Sequence, residues 1–355
     1  MQTLELLYQK EFKGIIAHPR KVSLDGDAIT LCGPRGSGKS YLIYDFLSSQ
    51  KFGSYLYIDF EDLRVGDISR EDIEVFIDEN SIKILVFDNF DFRFTPLKVE
   101  KTIITTYQEV KINGYESKKI YPLDFEEFLA FDGRFISEKI SFNNFSTIGT
   151  YPFVATASKD SYEKSFQLLL YSWFPDALEF ALMQTLSLKQ GSTITLLGLF
   201  KEMSLDYKIS KDKFYTLIKD LQAKKVIFLV ERYEKKSHSK KIYMIDFAIR
   251  GILSFEKDFI KRLENIIFLE LLKRGEEIYY TDRVDFVVPK KKLGVISMAF
   301  TPEVLLKNRI YSLVPLLKQL GLKKLQIVTL ELEFSYQIED IEIEVLPFWS
   351  FALGN

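Results

Sequence analysis

The 355-residue chain is long enough for two or three domains, each with a hydrophobic core of its own. Its 47% apolar and 28% charged residues and its net charge of −2 exclude a disordered chain and any overall pull towards nucleic acid, which would have to come from a local patch. A single cysteine, Cys32, and two histidines, His18 and His238, exclude a disulfide framework and leave little on which to build a zinc centre or a Ser-His-Asp triad.

An amphipathic helix from Thr3 to about Phe12 and a polar approach lead to a short apolar strand, 28–32. The loop Gly33-Pro34-Arg35-Gly36-Ser37-Gly38-Lys39-Ser40 comes next, and from Ser40 to Leu47 apolar residues recur at helical spacing. A G-x-x-x-x-G-K-[ST] pattern between a strand and a helix predicts a loop that cradles the phosphates of a nucleoside triphosphate. Gly33, Gly36 and Gly38 are expected to permit backbone turns that aim successive N–H groups into one concavity, with the helix N-terminus adding positive potential. Lys39 is expected to reach the β- and γ-phosphates and Ser40 to hold Mg²⁺, so the candidate contacts run from Gly33 to Tyr41. Cys32, at the end of the strand, reads as a small packing residue.

Strand and helix then alternate: strand 55–59, helix 71–79, strand 83–87, and strands 102–105 and 118–121. Near-continuous apolar strands separated by helices predict a parallel sheet covered on both faces, with ligands beyond the carboxyl ends of its strands. Ile84-Leu-Val-Phe-Asp88 lies about 50 residues after Lys39 and predicts Asp88 as the carboxylate of the Mg²⁺ shell. Asn89 follows, where many ATPases carry the glutamate that orients the attacking water; an amide cannot accept a proton, and Asp91 is offset by two residues. Thr105 and Thr106 end the next strand, either as contacts to the γ-phosphate or water or as a solvated strand end. The acidic run Asp59-Phe-Glu-Asp62 reads as a helix cap or loop rather than a second metal contact. Lys39, Asp88, Asn89 and Thr105 make up the expected catalytic set, and no residue stands out as an arginine finger.

After about residue 150 the pattern changes. Helices are expected over 161–205, then helix 210–221, strand 226–230, a polar turn and strand 241–245, the outline of a winged helix. Residues 201–245 carry twelve Lys/Arg against six Asp/Glu. Lys211, Lys213, Lys219, Lys224 and Lys225 lie on or beside the candidate recognition helix, and Lys235, Lys236, Lys240 and Lys241 on the wing. Two readings stay open, a surface that contacts DNA phosphates and a solvated lysine-rich face on a protein-contact module. Helix 260–273, strands near 277–281, 284–289 and 293–300, helix 304–320 and strands 325–330 and 341–346 form a further small α/β segment.

With these elements in order, the chain resembles the AAA-type P-loop ATPases that carry a C-terminal nuclease-like domain of unknown function. The landmarks are the phosphate loop, Tyr55-Leu-Tyr-Ile-Asp-Phe-Glu-Asp-Leu-Arg64, Tyr121-Pro-Leu-Asp-Phe-Glu-Glu-Phe-Leu129, Lys241-Ile-Tyr-Met-Ile-Asp246, Leu263-Glu-Asn265, Val284-Asp-Phe-Val-Val288 and Val345-Leu-Pro-Phe-Trp-Ser-Phe-Ala-Leu353. The resemblance implies an α/β architecture: an AAA-type core with a parallel sheet over 1–150, a helical lid and winged helix over 151–250, and a restriction-endonuclease-like domain over 251–355. It implies adenine as the base, and hence ATP with Mg²⁺. It also matches Glu264 and Asp285 to the first two acidic positions of such nucleases, whereas Gly294-Val-Ile-Ser-Met-Ala-Phe300 holds neither the acid nor the lysine of the third, so this domain is expected to be inactive.

The combined expectation is an ATP-binding protein whose nucleotide state controls its C-terminal segments on a partner, DNA or protein, or in a homo-oligomer. The alternative is a nucleotide-stabilised scaffold that does not hydrolyse. No apolar run approaches the ~20 residues that span a bilayer, and the N-terminus lacks a secretory pattern, so a cytoplasmic protein without a membrane partner is expected.

Overall fold

A computed structural model describes residues 2–16, 18–133, 135–157, 162–174, 176–233 and 237–354. The wing lysines Lys235 and Lys236 lie outside these residues. The chain divides into two compact units, Met1–Pro122 with Ala223–Lys225, and Leu123–Gln222 with Val226–Asn355.

In the first unit, helix α1 (Gln2–Tyr8) precedes β1 (Ala28–Cys32), α2 (Lys39–Ser48), β2 (Tyr55–Asp59), α3 (Arg70–Asn80), β3 (Ile84–Asp88), β4 (Lys101–Thr106) and β5 (Glu116–Lys119). All pairings are parallel, in the order β2-β3-β4-β1-β5. Successive strand residues face opposite sides. Tyr55 and Tyr57 therefore pack with Ile43 and Leu47 of α2, while Leu56 and Ile58 pack with Leu4 of α1 and Ile73 and Phe76 of α3. The sheet is thus apolar on both faces, as its unbroken apolar strands require. The chain passes from β1 to β2 on one side and from β4 to β5 on the other, which puts β1 at the reversal of strand order where α/β sheets bind ligands. The last strand begins and ends two residues before the expected 118–121, because Glu116 and Ser117 already pair with Ile29 and Thr30. It is a polar edge strand with little apolar signal.

The second unit contains α4 (Phe125–Phe131), α5 (Glu138–Ile148), α6 (Pro152–Thr156), α7 (Tyr162–Trp173), α8 (Ala177–Leu188), β6 (Thr193–Thr195), α9 (Leu196–Asp206), α10 (Lys211–Ala223), β7 (Ile227–Arg232) and β8 (Ser239–Met244). It continues with α11 (Ile249–Leu253), α12 (Phe259–Lys273), β9 (Tyr279–Tyr280), β10 (Phe286–Val288), β11 (Leu293–Ser297), α13 (Glu303–Gln319), β12 (Lys324–Thr329), β13 (Phe334–Ile338), β14 (Ile341–Pro347) and α14 (Phe348–Leu353). Strand β7 pairs antiparallel with β8 and parallel with β9, so one nine-stranded sheet runs β13-β14-β12-β11-β10-β9-β7-β8-β6. Helix α12 is buried from Leu263 to Leu271.

Several residues of the sequence landmarks hold this unit together. Asp124 caps α4 reciprocally with Glu127, and Glu270 accepts the Phe125 N–H at 2.9 Å. Asn265 spans the backbone of Met244, accepting its N–H at 2.8 Å and donating to its carbonyl at 3.0 Å. Asp246 is fully buried and accepts the Thr150 N–H and hydroxyl at 2.5 and 2.6 Å and the Ala248 N–H at 2.7 Å.

Candidate functional site

The phosphate loop leaves β1 and enters α2 as its spacing predicts, with two glycines in the left-handed region, Gly36 (φ 80°) and Gly38 (φ 95°). Gly33 serves differently from the expectation: its φ is not positive, but a Cβ there would lie 2.1 Å from the Ile120 carbonyl oxygen, so its hydrogen is what lets β5 close against the loop. Arg20, which carries no sequence signal, braces the loop by donating to the carbonyls of Ser37 and Tyr121 at 2.8 and 2.7 Å.

Lys39 is only 5% exposed and donates to the carbonyls of Gly33 and Pro34 at 2.8 and 3.0 Å. Burial lowers its pKa to about 8, against the opposing pull of Asp88, and Arg35 pushes in the same downward direction as burial. Arg35 pairs with Glu61, and both Arg35 and Lys39 lie over the ring of Tyr107, at 5.0 and 4.6 Å. Burial raises the pKa of Tyr107 well above the ordinary phenol range, Arg35 opposes the rise and Glu61 adds to it. Tyr107 escapes the sequence reading, and Glu61, read there only as part of the acidic run 59–62, is not marked as a partner of Arg35; the two meet the loop from the ends of β4 and β2.

Asp88 ends β3 with no exposed surface. It accepts the Tyr57 hydroxyl at 2.6 Å and the Thr105 hydroxyl, and Thr105 in turn accepts the Asn89 N–H at 2.8 Å. Asn89 adopts φ 53° and donates its amide to Asp59 Oδ1 at 2.9 Å. Thr105 is thus joined to Asp88 and Asn89, whereas Thr106 donates to the Gln108 carbonyl at 2.6 Å. Asp91 is held by Arg93. Ser40 lies half-buried in the first turn of α2, Gly36 is exposed, and Tyr41 is 67% exposed beside Tyr44.

The loop's chemistry fits a triphosphate. Ser37 Oγ is buried and has no hydrogen-bond partner among the described residues, and Lys39 and Arg35 supply two cations. The Ser40 hydroxyl and the Asp88 carboxylate are hard oxygen donors suited to Mg²⁺, an ion that keeps several waters and needs few protein ligands.

A parallel sheet with a glycine loop and an acidic strand end at its reversal point defines a P-loop core. Comparison with known families agrees. Residues 25–113 match the family model described as "AAA domain", a span that includes the whole loop, Asp88, Asn89 and Thr105. An uncharacterized protein of Methanocaldococcus jannaschii is 24% identical over 90% of this chain and 87% of its own length. Among solved structures, a Walker-type ATPase of Pyrococcus abyssi is similar over 71% of this chain and 93% of its own, with a TM-score of 0.44 and 12% identity.

In the second unit the Glu264 and Asp285 carboxylates come together around Lys241, whose ammonium lies 2.6 Å from Glu264 Oε1 and 3.4 Å from Asp285 Oδ1. The Tyr243 hydroxyl donates to Glu264 at 2.7 Å and the Ser297 N–H to Asp285 at 2.9 Å. Burial, reinforced by Asp285, raises the pKa of Glu264. The strand 293–297 indeed supplies no acid or lysine, but a lysine arrives from β8, a route invisible to motif spacing. Lys241 therefore does not serve the wing surface, and Lys240 pairs with Glu231. Lys211, Lys213 and Lys219 of α10 are exposed. Among the described residues no group of three His, Cys, Asp or Glu side chains could hold a metal ion, and no helix is long and apolar enough to cross a membrane.

Proposed function

We propose that this chain binds ATP with Mg²⁺ at the loop Gly33–Ser40 and hydrolyses it slowly. The single observation that carries the reading is Lys39, buried and bonded to two loop carbonyls beside Asp88, Thr105 and Asn89. Phosphate oxygens would replace those carbonyls as its partners, the loop N–H groups would bind the β-phosphate, and Arg35 would face the outer phosphates. Ser40 and Asp88 would hold Mg²⁺, which neutralises charge on the phosphates when bound. The chain's own part is to position the triphosphate, exclude water from its inner face and keep Asp88 in place through Tyr57 and Thr105.

In the same proposal, nucleotide state controls the C-terminal segments on a partner. The helices α9 and α10 followed by the β7–β8 hairpin, with β6 paired antiparallel to β8, support a winged-helix reading of 151–250. Exposed lysines on α10 favour DNA phosphates as its contact. The Lys241 ion pair with Glu264 and Asp285 supports an inactive nuclease-like segment over 251–355, because the ammonium fills the place a cation would take. A second reading, a scaffold stabilised by ATP without turnover, draws on Asn89, an amide where a carboxylate is usual.

Calorimetry with MgATP, paired with phosphate release by the wild type and Lys39→Ala, tests both. Binding lost in K39A with turnover above its background supports the ATPase; binding without turnover supports the scaffold; no binding by the folded wild type overturns both.

A further inference from the structure

We infer that Asp59, on β2, is the carboxylate that orients and deprotonates the attacking water, and that the Asn89 amide is its positioning residue. The inference rests on the hydrolytic reading proposed above. Asn89 cannot take a proton, yet its side chain is not idle: it donates to Asp59 Oδ1 at 2.9 Å, so acid and amide form one pair across adjacent strand ends. Asp59 stands in register beside Asp88 in the parallel β2–β3 ladder. Its face is that of Tyr57, whose hydroxyl reaches Asp88 and lies 3.1 Å from the hydroxyl of Tyr44 on α2. Asp59 therefore looks towards the helix that opens the phosphate loop.

The neighbouring carboxylates are otherwise engaged. Asp88 accepts from Tyr57 and Thr105, Asp91 is bound by Arg93, and Glu61 by Arg35. Asp59 accepts from Asn89 and from the Glu61 N–H at 3.0 Å, both on Oδ1, so Oδ2 carries none of the hydrogen bonds found among the described residues. Asn89 is tied in turn by its N–H to Thr105, which bonds Asp88, and one network fixes the proposed base relative to the proposed Mg²⁺ carboxylate. In the step, the water oxygen bonds to the γ-phosphorus while the bond from that phosphorus to the bridging oxygen of the leaving diphosphate breaks. The water's proton passes to Asp59 Oδ2 and then to solvent, leaving ADP and inorganic phosphate.

The test measures MgATP binding by calorimetry and phosphate release under saturating MgATP. D59N is expected to bind within threefold of the wild type and to lose about 100-fold or more in kcat, as removal of a general base does. N89A, which frees Asp59 from its holder, is expected to lose about tenfold in kcat with KM little changed. The exchanged pair, D59N with N89D, keeps acid and amide in contact at a left-handed position that Asp tolerates, and is expected to recover at least tenfold over D59N. Release by D59N within threefold of the wild type overturns the inference and leaves the ATPase intact. Wild-type binding with release no faster than K39A overturns it together with hydrolysis, but not ATP binding. Should D59N fail to fold, the exchanged pair decides: folded, binding MgATP and releasing phosphate only at the K39A background, it overturns the inference.

Discussion

The Ile120 carbonyl oxygen occupies the space that a side chain on Gly33 would need, 2.1 Å from an ideal Cβ. The first glycine of the phosphate loop is therefore set by the fit of β5 against it, through the Ile120 N–H bond to Cys32 at 2.9 Å. Gly33→Ala should displace this edge of the sheet, lower stability by about 1–3 kcal/mol as overpacking does, and weaken MgATP binding. Thermal melts with and without MgATP measure both effects; a variant melting and binding like the wild type contradicts the packing argument.

Burying Lys39 should cost stability. Its folded pKa, about 8, lies below the ordinary 10.5, so the folded state resists protonation. The penalty is fully present below pH 8, where it is worth about 3 kcal/mol, and fades as pH rises towards 10.5, where the unfolded chain also loses the proton. The loop's two carbonyl hydrogen bonds offset part of it. Lys39→Met is thus expected to melt higher than the wild type near pH 7, with a gain that vanishes near pH 10.5, while losing MgATP binding. An equal or lower melting temperature at pH 7 speaks against it.

Removing Lys241 takes from Asp285 its ammonium partner and leaves Glu264 with only Lys261, 3.6 Å from its other carboxylate oxygen, in a largely buried site. Lys241→Ala should destabilise the protein by about 3 kcal/mol at pH 7, within the range for breaking a buried pair. Because the folded pKa of Glu264 is raised, its contribution is most favourable where it is protonated and worsens as pH climbs through its folded pKa. The damage should therefore shrink on acidification towards pH 5, which denaturant titrations at the two pH values would show or refute.

If α10 meets DNA phosphates, a triple change of Lys211, Lys213 and Lys219 to Glu should weaken binding to duplexes of any sequence. The slope of log K against log salt should flatten by roughly 2 to 3, since each phosphate that is no longer neutralised removes about 0.9. Lys240→Glu, at a lysine already paired with Glu231, should change it far less. Equal effects at the two places would remove α10 as the DNA-binding helix.

The phosphate loop is legible because its spacing is itself the chemistry: the strand, the turn glycines and the lysine that must reach phosphate are contiguous. Asp88 is legible for the same reason, as the acidic end of an apolar run. Arg20 and Tyr107 are not, since each joins the loop from a different part of the first unit and carries no local pattern, and the acidic run 59–62 gives no sign that its Glu61 pairs with Arg35. Edge strands β5 and β13 are polar on their open sides, which erases or blurs their periodicity. Helices α4 and α6 are only seven and five residues long, and their residues act as caps and aromatic packing that no regular apolar spacing announces. The spacing of the acidic cluster points to β11 for its lysine, yet that lysine comes from β8, and only sheet order brings it there.

Strand β7 is stitched to β8 over Ile227–Val230 and, on its other side, to Tyr279–Tyr280 at Glu231 and Arg232. The hairpin is thus a lever anchored in the sheet, not a flap on a hinge. Lys241 on β8 and Asp285, next to β10, are thus carried by strands of the same sheet, and their ion pair joins the two ends of the path β8-β7-β9-β10.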